Sequence, residues 1–399
     1  MISFFTAFGF ALAATAPEVP NEAELLANTL QIQASTVLLG DGTKIENGVV
    51  LVRDGKVVGV NKDGKLNDAS PSMKHEGFLT PGLIACQAEL GVQGEAYDST
   101  RTMLPEARMR HGFRPGHSDF RHALHNGITS VVLSPNEENP IGGVTTVVKT
   151  HGAKVVNKEA HLAMSFSTAG LSGGGFSFNF FFEAKDFMAE DGGFESTAGS
   201  QSGARMPTSH SGLVRDLGSA VADGEGVLGR VRAGKLPVLI EAWDRNEVVR
   251  AARFAAENKL KGAIRGLPLG SDPYVVAALQ TSGLGAVLGP YGPEQKRRSL
   301  ESAGALAAQQ IPFAFALDGP RFAPESLRWS AVAALNAGAP YAAVWKALTK
   351  DAASIAGVAD RVGDLKAGLD ADFILWSGDP LNLASRIDAV YVGGEKVGH

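Results

Sequence analysis

Cysteine is almost absent. Cys86 stands alone in 399 residues, which excludes an intramolecular disulfide and any cysteine-rich zinc site. It sits inside an apolar run, where a thiol behaves as a small buried hydrophobe rather than as a nucleophile. A basic excess is missing too: 37 Lys and Arg face 42 Asp and Glu, for a net charge of -5. A nucleic-acid partner, which calls for a basic face, is therefore not expected. Long apolar runs are lacking after the N-terminus, so no membrane span is expected. Ile2 to Ala14 is continuously apolar but short of a bilayer's thickness, and Ala11-Leu-Ala13 and Ala14-Thr-Ala16 offer small-x-small cleavage steps. The run lacks a preceding Lys or Arg. Residues 1–20 are expected to be the signal peptide of an exported, periplasmic protein, with a cytoplasmic chain bearing a packed or disordered N-terminus as the alternative.

What is present suits an α/β protein: 44% hydrophobic residues and 48 glycines, in a chain long enough for a barrel of about 250 residues and a smaller unit. The centre of the pattern is Phe78 to Gly91. An apolar run leaves the Pro81-Gly82 turn and ends in Gln87 and Glu89, two residues apart and so on one face of a strand. Strands apolar along their length and polar at the carboxyl end are how a parallel α/β barrel presents its chemistry. Seven more barrel strands are expected at Ile128–Leu133, Thr145–Lys149, His161–Met164, Pro237–Glu241, Gly262–Arg265, Ala286–Leu288 and Phe313–Asp318, alternating with helices that include Phe120 to His125, Arg245 to Asn258 and Pro324 to Asn336. That alternation implies a parallel sheet.

Residues 30 to 80 read instead as short strands with turns, including an Asp54-Gly55 hairpin signal. Gly363 to Trp376 and Ile387 to Val397 have the same character. One segment fits neither pattern. Residues 170–212 carry Phe176, Phe178, Phe180, Phe181 and Phe182 followed by a Ser/Gly tract, and an excursion this long is a lid, a binding loop or an interface, or a locally packed insertion without a role.

The Pro81-Gly-Leu-Ile84 run with Gly91 resembles the first barrel strand of the amidohydrolase superfamily, and the Gly363 to Phe373 motif, with Asp370 and Asp372 as turn and strand-edge residues, resembles its closing segment. The resemblance implies a (β/α)8 TIM-like barrel over residues 81–363 and a composite β-sandwich from 21–80 and 364–399. It also implies a zinc site built from histidines at strand ends, with a strand-eight Asp as base on metal-bound water. Here the family's imidazole positions hold Gln87 and Glu89 on the first strand, Glu241 and Trp243 on the fifth and Arg265 on the sixth. Ala85 stands for the family Asp, strand four ends in Met164-Ser-Phe-Ser167, and Asp318 alone keeps the family identity. None of the nine histidines falls at these places. His122 and His125 belong to an outer helix, and only His151, after strand three, is a candidate for the pocket. Ser134 to Gly143 and Lys149 resemble a peptidase-like branch of the superfamily, in which Lys149 would contact a substrate carboxylate. The alternative is a lysine facing solvent.

Convergence of Glu89, Glu241 and Asp318 would place like charges together, each pair at about 5 Å repelling by roughly 3 kcal/mol at an effective dielectric of about 20. The expected compensation is the Arg265 guanidinium, bridging two carboxylates. The alternatives are a protonated carboxylate, a hard cation such as Mg²⁺, Ca²⁺ or Mn²⁺, or a Glu turned to solvent. Zinc is not expected. Two functions remain open from sequence. One is a degenerate, non-catalytic amidohydrolase-like protein that binds a small molecule or peptide, or pairs as a homo-oligomer or with an intact relative. The other is a hydrolase of amide or peptide C–N bonds with a rebuilt site and Asp318 as base. Glycoside hydrolysis by Glu89 and Glu241 fits a barrel but no motif.

Overall fold

At Pro81-Gly82 the chain leaves one sheet and enters another. The computed structural model describes residues 28–92, 94, 96–98, 100–168, 171, 207–266, 271–318 and 323–398. The expected signal peptide and the Phe176 to Phe182 cluster lie outside the described residues. The first five strands are β1 (Leu30–Leu38), β2 (Lys44–Glu46), β3 (Val49–Arg53), β4 (Lys56–Asn61) and β5 (Ser72–Pro81). The middle of the chain supplies β6 (Leu83–Ala88), β7 (Ile128–Leu133), β8 (Ile141–Val144), β9 (Thr146–Lys149), β10 (Val155–Asn157), β11 (Leu162–Ser165), β12 (Val238–Ala242), β13 (Gly262–Gly266), β14 (Gly285–Leu288) and β15 (Phe313–Phe315). The last three are β16 (Phe373–Trp376), β17 (Ile387–Val392) and β18 (Glu395–Gly398).

Both ends of the chain join a single eight-stranded sheet, ordered β18-β17-β16-β5-β1-β3-β4 with β2 on β1. Neither end could bury its apolar face alone. Together they enclose their own cluster, which includes Ile32, Val50, Leu79, Phe373 and Tyr391, the two rings stacked at 4.4 Å. Asp54 and Gly55 turn β3 into β4 at φ of 50° and 72°, as a two-residue hairpin with both central residues left-handed requires.

The other strands form a four-stranded sheet, β10-β9-β7-β6, and a six-stranded one, β15-β14-β13-β12-β11-β8. β6 and β7 are parallel, and so are successive strands from β11 to β15. Gly82 marks a close approach, since a Cβ there would lie 2.1 Å from Thr129 Oγ1. One side of both sheets contributes Ile84, Cys86, Val132, Val147, Leu239, Ala263, Val287 and Ala314 to a common apolar layer, closed below by Ala352, Ala353 and Ala356 from the helix Lys350–Ile355 and its end.

The third expected strand departs from the parallel pattern. β9 pairs antiparallel with β7, with Leu133 opposite Thr146 and Ser130 opposite Lys149, and β8 pairs antiparallel with β11. The twelve residues between β7 and β9, 134–145, hold strand β8 and no crossover helix, the usual link between parallel neighbours. The chain therefore doubles back. Three anticipated helices form as Ser118–His125, Arg245–Glu257 and Glu325–Asn336. A fourth, His210–Asp223, begins inside the stretch read as insertion. It is capped by Ser209 and buries Leu213, Leu217 and Val221 at four-residue spacing, an amphipathic stripe that the neighbouring Ser/Gly tract obscured. No helix among the described residues is long and apolar enough to cross a membrane.

Candidate functional site

Leu239 and Ala263 lie in the common apolar layer, and two residues further along the same strands come Glu241 and Arg265. Strand pleating carries both onto that face, and the ladder sets them side by side. Asp318 follows Ala314 and Ala316 of the same layer and is held against the first strand by backbone bonds. Leu317 N and Asp318 N donate to Gln87 O at 2.8 and 3.2 Å, and Glu89 N donates to Asp318 O at 3.1 Å.

Arg265 is 1% exposed. Its Nη1 lies 2.5 Å from Glu241 Oε1, and its Nη2 donates to Asp318 Oδ1. Trp243 Nε1 donates to the same Glu241 oxygen at 2.9 Å, and its ring lies 5.3 Å from the guanidinium carbon. The Glu241 side chain is 8% exposed and that of Asp318 24%, so the mouth opens on the aspartate side. Burial raises the Glu241 carboxyl well above the usual glutamate range; Arg265 opposes that shift, while Glu137 and Asp318 add to it. Burial works against the Arg265 charge, but Glu241, Asp318 and Glu137 outweigh it and hold the guanidinium protonated more firmly than usual. One cation between two carboxylates leaves an excess negative charge, which acts with burial to raise the Glu241 carboxyl.

Asp318 has a left-handed backbone, φ 66°. That conformation is uncommon for a residue with a Cβ, although Asp tolerates it better than most.

The remaining sequence candidates scatter. Gln87 is fully buried, and neither amide atom has a partner among the described residues. Glu89 is half-buried beside Asp318. Lys149 is neither at the mouth nor in solvent. It is 5% exposed, donates to Asp372 and lies 3.0 Å from Asp370 Oδ2. Antiparallel β9 is the reason, because it puts Lys149 opposite Ser130 near the start of β7, at the end away from Glu241. His151, two residues on, is exposed at that same far end. Asp370 and Asp372, expected as turn and strand-edge residues, are buried partners in this ion cluster.

The resemblance in sequence implies imidazole ligands, and among the described residues none stands at this mouth. His161 is buried on Thr145 Oγ1 and Ile355 O, His75 lies on Trp376 O, and His117 caps the helix Ser118–His125. Among the described residues no group of three His, Cys, Asp or Glu side chains could hold a metal. Glu89, Glu241 and Asp318 therefore do not form a three-carboxylate shell. A zinc centre does not fit this donor set, in which the Glu241 and Asp318 oxygens are paired with Arg265.

Sequence reasoning missed Glu137, whose charge bears on both Glu241 and Arg265, and Glu247, a buried carboxylate behind Trp243. The second was readable, since Asp244 and Glu247 have the spacing of a capping box.

No family model matches the chain. A 77-residue stretch, 19% of the chain, is 31% identical to Amidohydrolase tasK of Hapsidospora irregularis, of whose length the match spans 8%. Among solved structures, an amidohydrolase from Thermotoga maritima MSB8 superimposes with a TM-score of 0.74 at 22% identity, over 92% of this chain and 99% of that one. A Xaa-Pro dipeptidase with bound methionine in its active site gives 0.58 at 14% identity, over 92% and 99%. Molinate hydrolase gives 0.57 at 15%, over 93% and 95%.

Proposed function

The chain carries the fold of the amidohydrolases, and from that premise we propose that it is a degenerate, non-catalytic relative that binds a small molecule or peptide. The observation that carries this is the Arg265 guanidinium seated between Glu241 and Asp318. A permanent cation there takes up the oxygens a metal would use and repels any second cation. In this proposal the two inner sheets close into a barrel. Support comes from the bonds between residues 317–318 and Gln87 at one seam, and from Thr145 N donating to His161 O at 2.9 Å at the other.

A thermal-shift panel of amides, dipeptides and N-acylated amino acids, paired with turnover assays on the same compounds, tests the proposal. Binders that raise the melting temperature of the wild type without being hydrolysed are expected, with the shift weakened in Trp243→Ala. Turnover that disappears in Asp318→Asn would overturn it.

One observation favours a second reading, an active C–N hydrolase. Asp318 is the most open member of the triad, has an uncommon backbone conformation and sits beside a donor. There its carboxylate would take a proton from the water attacking the carbonyl carbon, with Arg265 N–H groups stabilising the developing oxyanion, and would then give that proton to the amine nitrogen as the C–N bond broke.

A further inference from the structure

The buried carboxylate of Glu247 accepts more than its helix requires. On the helix Arg245–Glu257 it completes a capping box with Asp244: Glu247 N donates to Asp244 Oδ1 at 2.8 Å, and Asp244 N donates to Glu247 Oε2 at 3.2 Å. A capping box needs no further bond. Yet Glu247 Oε2 also accepts from Trp243 N at 2.8 Å, and Oε1 from Thr168 N at 2.9 Å. The carboxylate thus fastens the backbone beyond β12 to the backbone beyond β11. These adjacent strands are joined one step earlier by Phe166 N donating to Glu241 O at 2.8 Å.

Trp243 is the residue so fastened. Its indole N–H meets the Glu241 oxygen that also receives Arg265, and its ring lies near the guanidinium. We infer that Glu247 is a positioning residue of the candidate site. By fixing the Trp243 backbone it sets the indole against Glu241 and Arg265, and so determines which side of the guanidinium stays covered. Without its acceptor the Trp243 N–H would have to find another partner, and the chain at residue 243 would shift to provide one. The inference rests on the reading of this mouth as the functional site, but its test requires no ligand.

Trp243 fluorescence, isolated as wild type minus Trp243→Phe and likewise within each variant background, supplies the readout, with acrylamide as quencher. Glu247→Ala is expected to red-shift this component and raise its quenching severalfold. Glu247→Gln, which keeps one carbonyl acceptor, is expected to fall between the two. Asp244→Ala breaks the capping box but spares the bond to Trp243, so it should lower the melting temperature and leave the Trp243 component unchanged. A mere capping role predicts equal effects of Asp244→Ala and Glu247→Ala. That result, or no change in either, would overturn the inference. If Glu247→Ala does not fold, Glu247→Gln against Asp244→Ala decides by the same criterion. The outcome is independent of turnover or ligand binding, so failure of the binding proposal and failure of this one are told apart.

Discussion

Replacing Arg265 with methionine removes the charge while keeping much of the buried side-chain volume, so the change isolates electrostatics from packing. In the wild type Arg265 is 1% exposed, with Glu241 Oε1 at 2.5 Å and Asp318 on its other nitrogen. Two costs follow from its loss. A buried carboxylate, Glu241, loses its countercharge, and removing one partner of a buried ion pair costs about 3–5 kcal/mol. Glu241 and Asp318 then repel each other directly. At about 5 Å and an effective dielectric of about 20 that adds up to roughly 3 kcal/mol, less whatever protonation of Glu241 relieves. Urea denaturation with linear extrapolation reads the sum, and Arg265→Met should fall by about 3–8 kcal/mol at neutral pH. The triple variant Arg265→Met, Glu241→Gln, Asp318→Asn should recover most of the loss, because the penalty lies in unpaired charge. A loss under about 1 kcal/mol, within the range of a surface pair, or a triple variant no more stable than the single one, would refute the reasoning.

Other changes follow from the same electrostatics. Glu241 is held above its usual value of 4.5, so its contribution to stability is fully present below about pH 4.5 and is lost as pH rises through the elevated value. The stability difference between wild type and Glu241→Gln should shift in that direction across a pH series of denaturation curves, and a flat difference would contradict it. Lys149→Met should cost about 3–5 kcal/mol, since it strands buried Asp372, and adding Asp372→Asn should restore much of that in the same melts. Lys56→Ala, which removes a half-exposed partner of Asp370 while Arg361 and Lys149 remain, should cost under about 1 kcal/mol.

Pattern reading worked where a single local rule governed. β6 from Leu83, β7 at Ile128–Leu133 and the Asp54-Gly55 hairpin follow from strand periodicity and turn chemistry, which act within a few residues. Glu241 and Arg265 were singled out by the resemblance to the family's imidazole positions, and the pairing of β12 with β13 sets them side by side. Lys149 and His151 were misplaced because strand direction is not encoded in periodicity. The twelve residues between β7 and β9 reach the lower limit of a parallel crossover, so length alone did not carry that information either. Asp370 and Asp372 do lie at a turn and strand edge, Asp370 bridged to Lys56 and Asp372 just before β16, but their pairing with Lys149 went unread because it lies more than 200 positions away (|i−j| of 223 for Asp372). Glu247 went unnoticed, and its bonds to Trp243 and Thr168 depend on the pairing of β11 with β12. Long-range contacts of this kind leave no local trace.

Zinc content after dialysis against excess zinc and then metal-free buffer, read by elemental analysis, bears most directly on the seat of Arg265 between Glu241 and Asp318. The account predicts no stoichiometric zinc and a melting temperature unmoved by zinc or chelator. Retained stoichiometric zinc that is lost in Asp318→Ala would contradict it.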